Sequence, residues 1–194
     1  MTRSRRLPAA PPNVRPSLSV PVWDRAVRAL HWALVAAVAL AALSTVAIFG
    51  AHRPAGYAAL AIVALRALWG GCGGRYARFA QCVRGPVSTG RYLRRVLRRC
   101  EPRHLGHNPL GAWMAIALML CVAALGLTGG LYTTDAFWGD AGVEALHRGL
   151  AWTLLALVLL HLGGVIYTSL RHRENLVTSM FSGTKRAPRG DDID

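Results

Sequence analysis

The chain has 194 residues, of which 53% are hydrophobic and only 16% charged, so disorder is excluded for most of its length. Its net charge of +14 makes it strongly basic as well as apolar. That combination leaves two classes of protein, a nucleic-acid binder with a basic stripe or a membrane protein with positive charges in one set of loops. The cysteines form no C-x-x-C pair, which argues against a zinc or thioredoxin-type site and excludes a covalently attached c-type haem: Cys72, Cys82, Cys100 and Cys121.

Four long apolar stretches follow a Pro-, Arg- and Ser-rich segment, residues 1–20, that we expect to be disordered and basic. A bilayer core of about 30 Å requires roughly 20 apolar residues in a helix. The stretches therefore predict an all-α membrane protein, a bundle of four transmembrane helices over about residues 27–49, 52–71, 109–133 and 143–170. We expect one domain of four transmembrane helices over residues 21–183 and a flexible C-terminal tail over residues 184–194.

The basic residues decide between the two classes. They lie before the first stretch, between the second and third, and after the fourth, whereas the other two turns contain Arg53 or only the acidic Asp135 and Asp140. This positive-inside pattern places both termini in the cytoplasm of a bacterial inner membrane and accounts for the charge without nucleic acid. Residues 91–100 are amphipathic and fit either a helix on the anionic cytoplasmic leaflet or a solvated basic loop.

Ionisable side chains inside a membrane are costly, so the intramembrane histidines indicate function. His147 and His161 are fourteen residues apart, nearly four helical turns, so they share one helix face about 21 Å apart along the axis. His52 is level with His147 near the outer surface, and His31 is level with His161 near the inner surface. Two facing imidazoles can ligate the iron of a b haem from both sides. The sequence thus predicts two b haems, held by His52 with His147 and by His31 with His161.

Other polar residues have two interpretations each. Arg66 lies fourteen residues after His52, where it could bind a haem propionate or extend to the cytoplasmic headgroups. His104 and His107 precede the third helix and fit interface positions, and there Asn108 can cap the helix that Pro109 begins. His172 lies between two arginines and is expected to be solvated.

The chain resembles the prokaryotic cytochrome b561 family, which is grouped with the b-type cytochrome subunits of nickel–iron hydrogenases. The resemblance spans about Val22 to Arg186. It rests on the segments VWDRAVRALHW, AHRPAGY, ALRALWG, GGRYARF and GHNPLG, and on the long segment from LHRGLAW to SGTKR.

The resemblance implies a four-helix bundle with two bis-histidine b haems, with the ligands carried over onto His31, His52, His147 and His161. It implies electron transfer between the quinone pool and a redox partner, such as a periplasmic c-type cytochrome or a hydrogenase subunit. A quinone site is expected near Arg66, Tyr76 and His107. The alternatives are a superoxide:quinone oxidoreductase, which predicts a positive outer surface, and a histidine-relay metal or proton transporter.

Overall fold

The computed structural model describes residues 19–45, 50–190, 192 and 193 of the chain. Seven helices and two short strands follow one another in these residues. Their bounds are β1 Ser19–Pro21, α1 Arg25–Leu43, α2 His52–Cys72, α3 Phe79–Cys82, α4 Pro86–Leu97, α5 Pro109–Leu131, α6 Ala141–His172, α7 Leu176–Ser182 and β2 Thr184–Arg186.

Four of these helices, α1, α2, α5 and α6, are long and apolar enough to cross a membrane. The most apolar 18-residue stretch of each has a mean hydropathy between 1.4 and 2.3. This confirms the prediction of four membrane-spanning helices in a mostly helical protein.

Side-chain caps define where three of the spanning helices begin. Asp24, Asn108 and Asp140 accept hydrogen bonds from backbone N–H groups three residues later, at 2.7, 2.7 and 2.8 Å. Such caps satisfy donors that the first helical turn leaves unpaired. The start of α5 at Asn108 and Pro109 is as the sequence predicts.

Helix α1 ends earlier than expected. Instead of continuing towards residue 49, it ends at Leu43, and the hydroxyls of Ser44 and Thr45 donate to the carbonyls of Ala41 and Ala42. These side-chain bonds compete with continuation of the helix. Residues 46–49 lie outside the described residues.

The spanning helices pack in chain order, with α2 against α1 and α5, and α5 against α6. A small apolar core at the middle of the bundle joins α1, α2 and α5. Its buried residues are Ala37, Ala59, Val63 and Val122. Because successive helices run in opposite directions, the α1–α2 and α5–α6 turns lie at one end of the bundle, which we call the turn end.

At the opposite end, β1, residues 73–108, α7 and β2 form a layer that we call the cap, and this end the cap end. Strand β1 pairs antiparallel with β2, with Val20 opposite Lys185. Gly183 has a positive φ of 85° and its carbonyl accepts from the backbone N–H groups of Val22 and Trp23. A side chain there would lie 2.8 Å from the Trp23 carbonyl, which favours glycine.

The structure corrects the expectation of a flexible tail from residue 184. Thr184–Arg186 are in β2, and Ile193 exchanges backbone hydrogen bonds with residues 103 and 105. The Arg103 side chain, 4% exposed, pairs with Glu174 at 2.6 Å and also with Asp192. Ion pairs and strand pairing over long sequence distances have no local sequence pattern, which is why composition alone suggested disorder. The expected disorder of residues 1–18 lies outside the described residues, while Ser19 and Val20 belong to β1.

Helix α4 contains the amphipathic basic segment. It places Tyr92 in the protein interior, edge-on to the His104 ring at 5.2 Å, and leaves Arg91, Arg94 and Arg95 exposed. This arrangement packs one face of α4 against the rest of the cap and directs its charges outwards.

Candidate functional site

The turn end brings His52 and His147 together. His52 is the first residue of α2 and His147 lies in the second turn of α6. Their ring centroids are 6.1 Å apart with the ring planes at 78°. The two side chains that the sequence predicts to be neighbours therefore lie close together in the fold.

Hydrogen bonds assign the tautomers of both rings. Nδ1 of His52 is 2.8 Å from the carbonyl of Ala41, which can only accept, so this nitrogen carries the proton. Nδ1 of His147 is 2.9 Å from the Thr128 hydroxyl, which itself donates to the Ala124 carbonyl at 2.8 Å and so accepts from the ring. Each ring therefore keeps the lone pair of Nε2 for a metal ion.

A glycine leaves room for the His147 ring. A Cβ added to Gly129 would lie 3.2 Å from Cε1 of His147, tighter than an ordinary van der Waals contact. Helix α5 thus supplies both the hydroxyl that orients this ring and the gap in which it lies.

The second pair, His31 and His161, lies nearer the cap end. Both side chains are half-buried, and they are close enough for their charges to interact. Among the described residues, the ring that His31 touches is that of Trp32, edge-on at 5.2 Å. The rings of this pair share no ring contact in the part of the chain that the structure describes, but both side chains are more buried than that of His52, which is exposed at the turn end.

Helix α6 carries one histidine of each pair and stands apart from the helices that carry the others. It packs along α5, with few or no backbone contacts to α1 or α2. None of its residues is buried, although it is the longest of the apolar helices. Since α6 is unbroken from Ala141 to His172, its two histidines are about 21 Å apart along the axis.

A family model for prokaryotic cytochrome b561 matches residues 22–183. The chain belongs to this family. No curated protein and no solved structure matches it. It is accordingly a prokaryotic membrane b-type cytochrome that takes part in electron transfer, and members of the family bind haem b.

The residues of this cytochrome fit a haem. A bond from an imidazole nitrogen to a transition metal is about 2.0–2.1 Å long, so two imidazoles on opposite sides of one ion place their centroids roughly 6 Å apart. The observed 6.1 Å between His52 and His147 agrees with that separation. Small residues on α2 and α6 meet nothing within 4 Å of an added Cβ, as a flat macrocycle beside these helices requires: Gly56, Gly149, Gly163 and Gly164.

Arg66 contacts the loop that follows its own helix. Its guanidinium donates to the Ala77 carbonyl at 3.2 Å and lies over the Phe79 ring, 4.9 Å from the centroid. These contacts attach the cap to α2. Binding of a haem propionate by this side chain stays a prediction, and its contact with Ala77, eleven positions away, could not be identified from spacing.

Tyr76 and His107 both belong to the cap, where the quinone site expected from the sequence stays a prediction. Both line a cavity of about 360 Å³, and the His107 ring lies edge-on to Trp23 at 4.8 Å. Burial lowers the pKa of His107 to about 4, and the charges of Lys185 and Arg66 act in the same direction. His107 is therefore neutral at physiological pH.

The other two histidines have structural surroundings. His104 is half-buried and its Nδ1 donates to the Pro102 carbonyl at 3.2 Å. His172 is half-buried at the end of α6, so the expectation that it is solvated is wrong. The cap covers it, and the cap is built from segments distant in sequence.

Two residues of the site escaped the sequence analysis. Thr128 could have been noticed as a hydroxyl in the otherwise apolar helix α5, but nothing local points to His147 as its partner. Trp32 follows a candidate ligand directly, yet its contact with Phe181 at 4.2 Å joins residues far apart in sequence.

Proposed function

We propose that the chain is a di-haem b cytochrome of the bacterial inner membrane that carries electrons between the quinone pool and a redox partner. The observation that carries the proposal is the arrangement of four histidines as two pairs at two depths, with α6 contributing one to each. His52 and His147 would hold one haem at the turn end. His31 and His161 would hold the other towards the cap.

Haem iron supplies one-electron exchange when it is bound. The chain's part would be to hold each haem iron with two imidazoles, His52 with His147 and His31 with His161, and two such ligands favour electron exchange over oxygen binding. The Ala41 carbonyl and the Thr128 hydroxyl hold the two turn-end rings in the tautomer that ligates through Nε2. Such second partners also raise the basicity of the ligands.

The charge distribution supports an orientation with the cap end in the cytoplasm. All the arginines of the connection between α2 and α5 lie in the cap, as does Lys185, and Arg171 and Arg173 lie at the same end of the bundle, whereas the turn end offers Arg53 and Arg148. Positive charge in loops is retained on the cytoplasmic side during insertion. Both termini would then be cytoplasmic.

The turn end would meet the partner in the periplasm. Asp135 and Asp140 lie in its α5–α6 turn, and Trp138 there is 73% exposed. An acidic surface suits a partner with a basic docking patch, such as a c-type cytochrome, or a hydrogenase-like subunit. Superoxide oxidation would need a positive surface to attract the anion, and Arg148 is already paired with Glu144.

Haem stoichiometry tests the proposal. The protein purified in mild detergent should contain about two low-spin b haems per chain by pyridine haemochrome, and a quinol should reduce them. His172→Ala, which alters a histidine outside both pairs, should keep both haems. A wild-type chain with no haem or only one would contradict the di-haem proposal.

A further inference from the structure

Helix α4 is attached to two of the spanning helices at the cap end. Nε1 of Trp113, in the second turn of α5, donates at 3.1 Å to the carbonyl of Arg84, just before α4 begins. Near the other end of α4, the Tyr167 hydroxyl of α6 donates to the Glu101 carboxylate at 3.1 Å and lies 3.5 Å from the Val96 carbonyl. Helix α4 therefore extends from the start of α5 to the end of α6.

These two aromatic side chains indicate the depth of α4 in a membrane. At 1.5 Å per residue, Trp113 lies about 6 Å from the start of α5 and Tyr167 about 7.5 Å from the end of α6. Both side chains are exposed, and Trp and Tyr concentrate where the hydrocarbon core of a bilayer meets water. The helix attached to them therefore lies at the depth of the lipid headgroups.

Three kinds of side chain divide the circumference of α4. Tyr92 is buried and Val96 half-buried, so this side faces the protein. At about 100° per residue, an apolar side of Leu93 and Leu97 begins about 60° further round, and these leucines are 43% and 76% exposed. The next arc, of about 100°, carries exposed arginines: Arg91, Arg94 and Arg95.

The arginines of this arc have no acidic partner in the part of the chain that the structure describes. Elsewhere in these residues, Arg103, Arg148 and Arg171 each pair with a carboxylate. Adjacent apolar and basic sides allow a helix to enter the edge of the acyl chains while its charges reach anionic phosphates. A solvated basic loop, the other interpretation considered from the sequence, gives no reason for the exposure of Leu93 and Leu97.

We propose that α4 is a docking surface for anionic phospholipids in the leaflet at the cap end. Leu93 and Leu97 contact the part of the acyl chains nearest the headgroups, and Arg91, Arg94 and Arg95 bind the phosphates. Guanidinium groups bind phosphate through paired hydrogen bonds, and their long stems extend towards the headgroups from an apolar surface. This surface includes none of the paired histidines, so the inference goes beyond electron transfer.

The test measures lipid affinity of the purified full-length protein in a neutral detergent, as the rise in unfolding temperature on adding lipid. Dioleoyl phosphatidylglycerol should bind more tightly than dioleoyl phosphatidylcholine, and salt should reduce the difference. Arg91→Gln/Arg94→Gln/Arg95→Gln should lower the affinity for the phosphatidylglycerol roughly a hundredfold, since each basic residue at an anionic surface contributes about a factor of five. Its affinity for the phosphatidylcholine should stay unchanged.

The matched control removes the same charge from exposed arginines at the cap end outside α4, in Arg25→Gln/Arg173→Gln/Arg189→Gln. This control should keep most of the preference for phosphatidylglycerol. Leu93→Ser/Leu97→Ser keeps the arginines and should lower the affinity for both lipids, which separates acyl-chain contact from headgroup binding. It also provides a second variant should the arginine triple fold poorly.

Three results would overturn the assignment. Equal losses of affinity in the α4 triple and the control triple would make the preference a property of net charge. Unchanged affinities in Leu93→Ser/Leu97→Ser would place α4 outside the bilayer. Stabilisation by soluble polyglutamate as strong as that by phosphatidylglycerol would assign the arginines to an acidic protein. Haem content enters none of these comparisons, so failure of this proposal is distinguishable from failure of the di-haem proposal.

Discussion

The two ends of the bundle hold their histidines by different means. At the turn end, His52 and His147 meet directly, and each ring is fixed by a hydrogen bond to a neighbouring spanning helix. At the cap end, His31 and His161 share no ring contact among the described residues. Their surroundings come instead from the cap, with its buried ions and its strand pairing between distant segments.

The difference shows which contacts in the fold each of the two histidine sites depends on. The turn-end site depends on contacts between spanning helices, which are encoded in apolar pattern and spacing. The cap-end site depends on a layer assembled from both ends of the described chain. Substitutions in the cap should therefore affect the histidine site at the cap end more than the one at the turn end.

The largest expected effect comes from Arg103. Arg103→Met leaves the buried carboxylates of Glu174 and Asp192 without their partner, and breaking a buried pair in this way costs about 3–5 kcal/mol. Arg148→Met is the matched change at the turn end, where the pair with Glu144 is exposed and worth at most about 0.5 kcal/mol. Denaturant unfolding in detergent measures both. Equal losses of stability in Arg103→Met and Arg148→Met would contradict the view that buried ion pairs stabilise the cap.

The next effect is a pH dependence at Lys185, whose burial lowers its pKa from the usual value near 10.5 to about 8. Glu174 raises this pKa, and Arg103 lowers it further. Between about pH 8 and 10.5 the unfolded chain holds the proton and the folded chain does not, so stability rises with pH across that window. Below pH 8 the full cost of about 3 kcal/mol applies.

Lys185→Met should therefore be more stable than wild type at pH 7, with the difference shrinking towards pH 10.5. Unfolding free energies at several pH values measure this, with the exposed Arg91→Met as the control. A difference between wild type and Lys185→Met that is constant from pH 7 to 10.5 would contradict the account.

The smallest effect concerns Thr128 at the turn end. Thr128→Val keeps the shape of the side chain but removes the hydroxyl that orients His147, and loss of such a partner weakens metal binding by about tenfold or more. Competition with an apo-haem protein should show faster loss of one haem only. Thr128→Ser retains the hydroxyl and should behave like wild type. If both haems were lost equally, the two ends would not be independent.

The sequence predicts the spanning helices because they depend on short-range apolar periodicity, whereas the pairing of histidines on different helices stays a prediction. Fourteen-residue spacing places His147 and His161 on one face whatever the rest of the fold does. The start of α5 follows from Asn108 and Pro109 in the same local way.

Contacts between distant segments were beyond such reasoning. The ordered tail depends on Arg103 reaching Glu174 and Asp192 across more than seventy residues, and Lys185 is buried where β2 pairs with β1, against Trp23. The early end of α1 is different, since Ser44 and Thr45 were visible in the sequence. Hydroxyl side chains occur both within helices and at their ends, so these two did not decide the boundary.

The central claim is that the four histidines act as two pairs, and double variants test it most directly. His52→Ala/His147→Ala removes one proposed pair, and the purified protein should retain one haem per chain by pyridine haemochrome. His52→Ala/His161→Ala removes one member of each pair and should retain none. One haem retained in the second variant, or none in the first, would contradict the pairing.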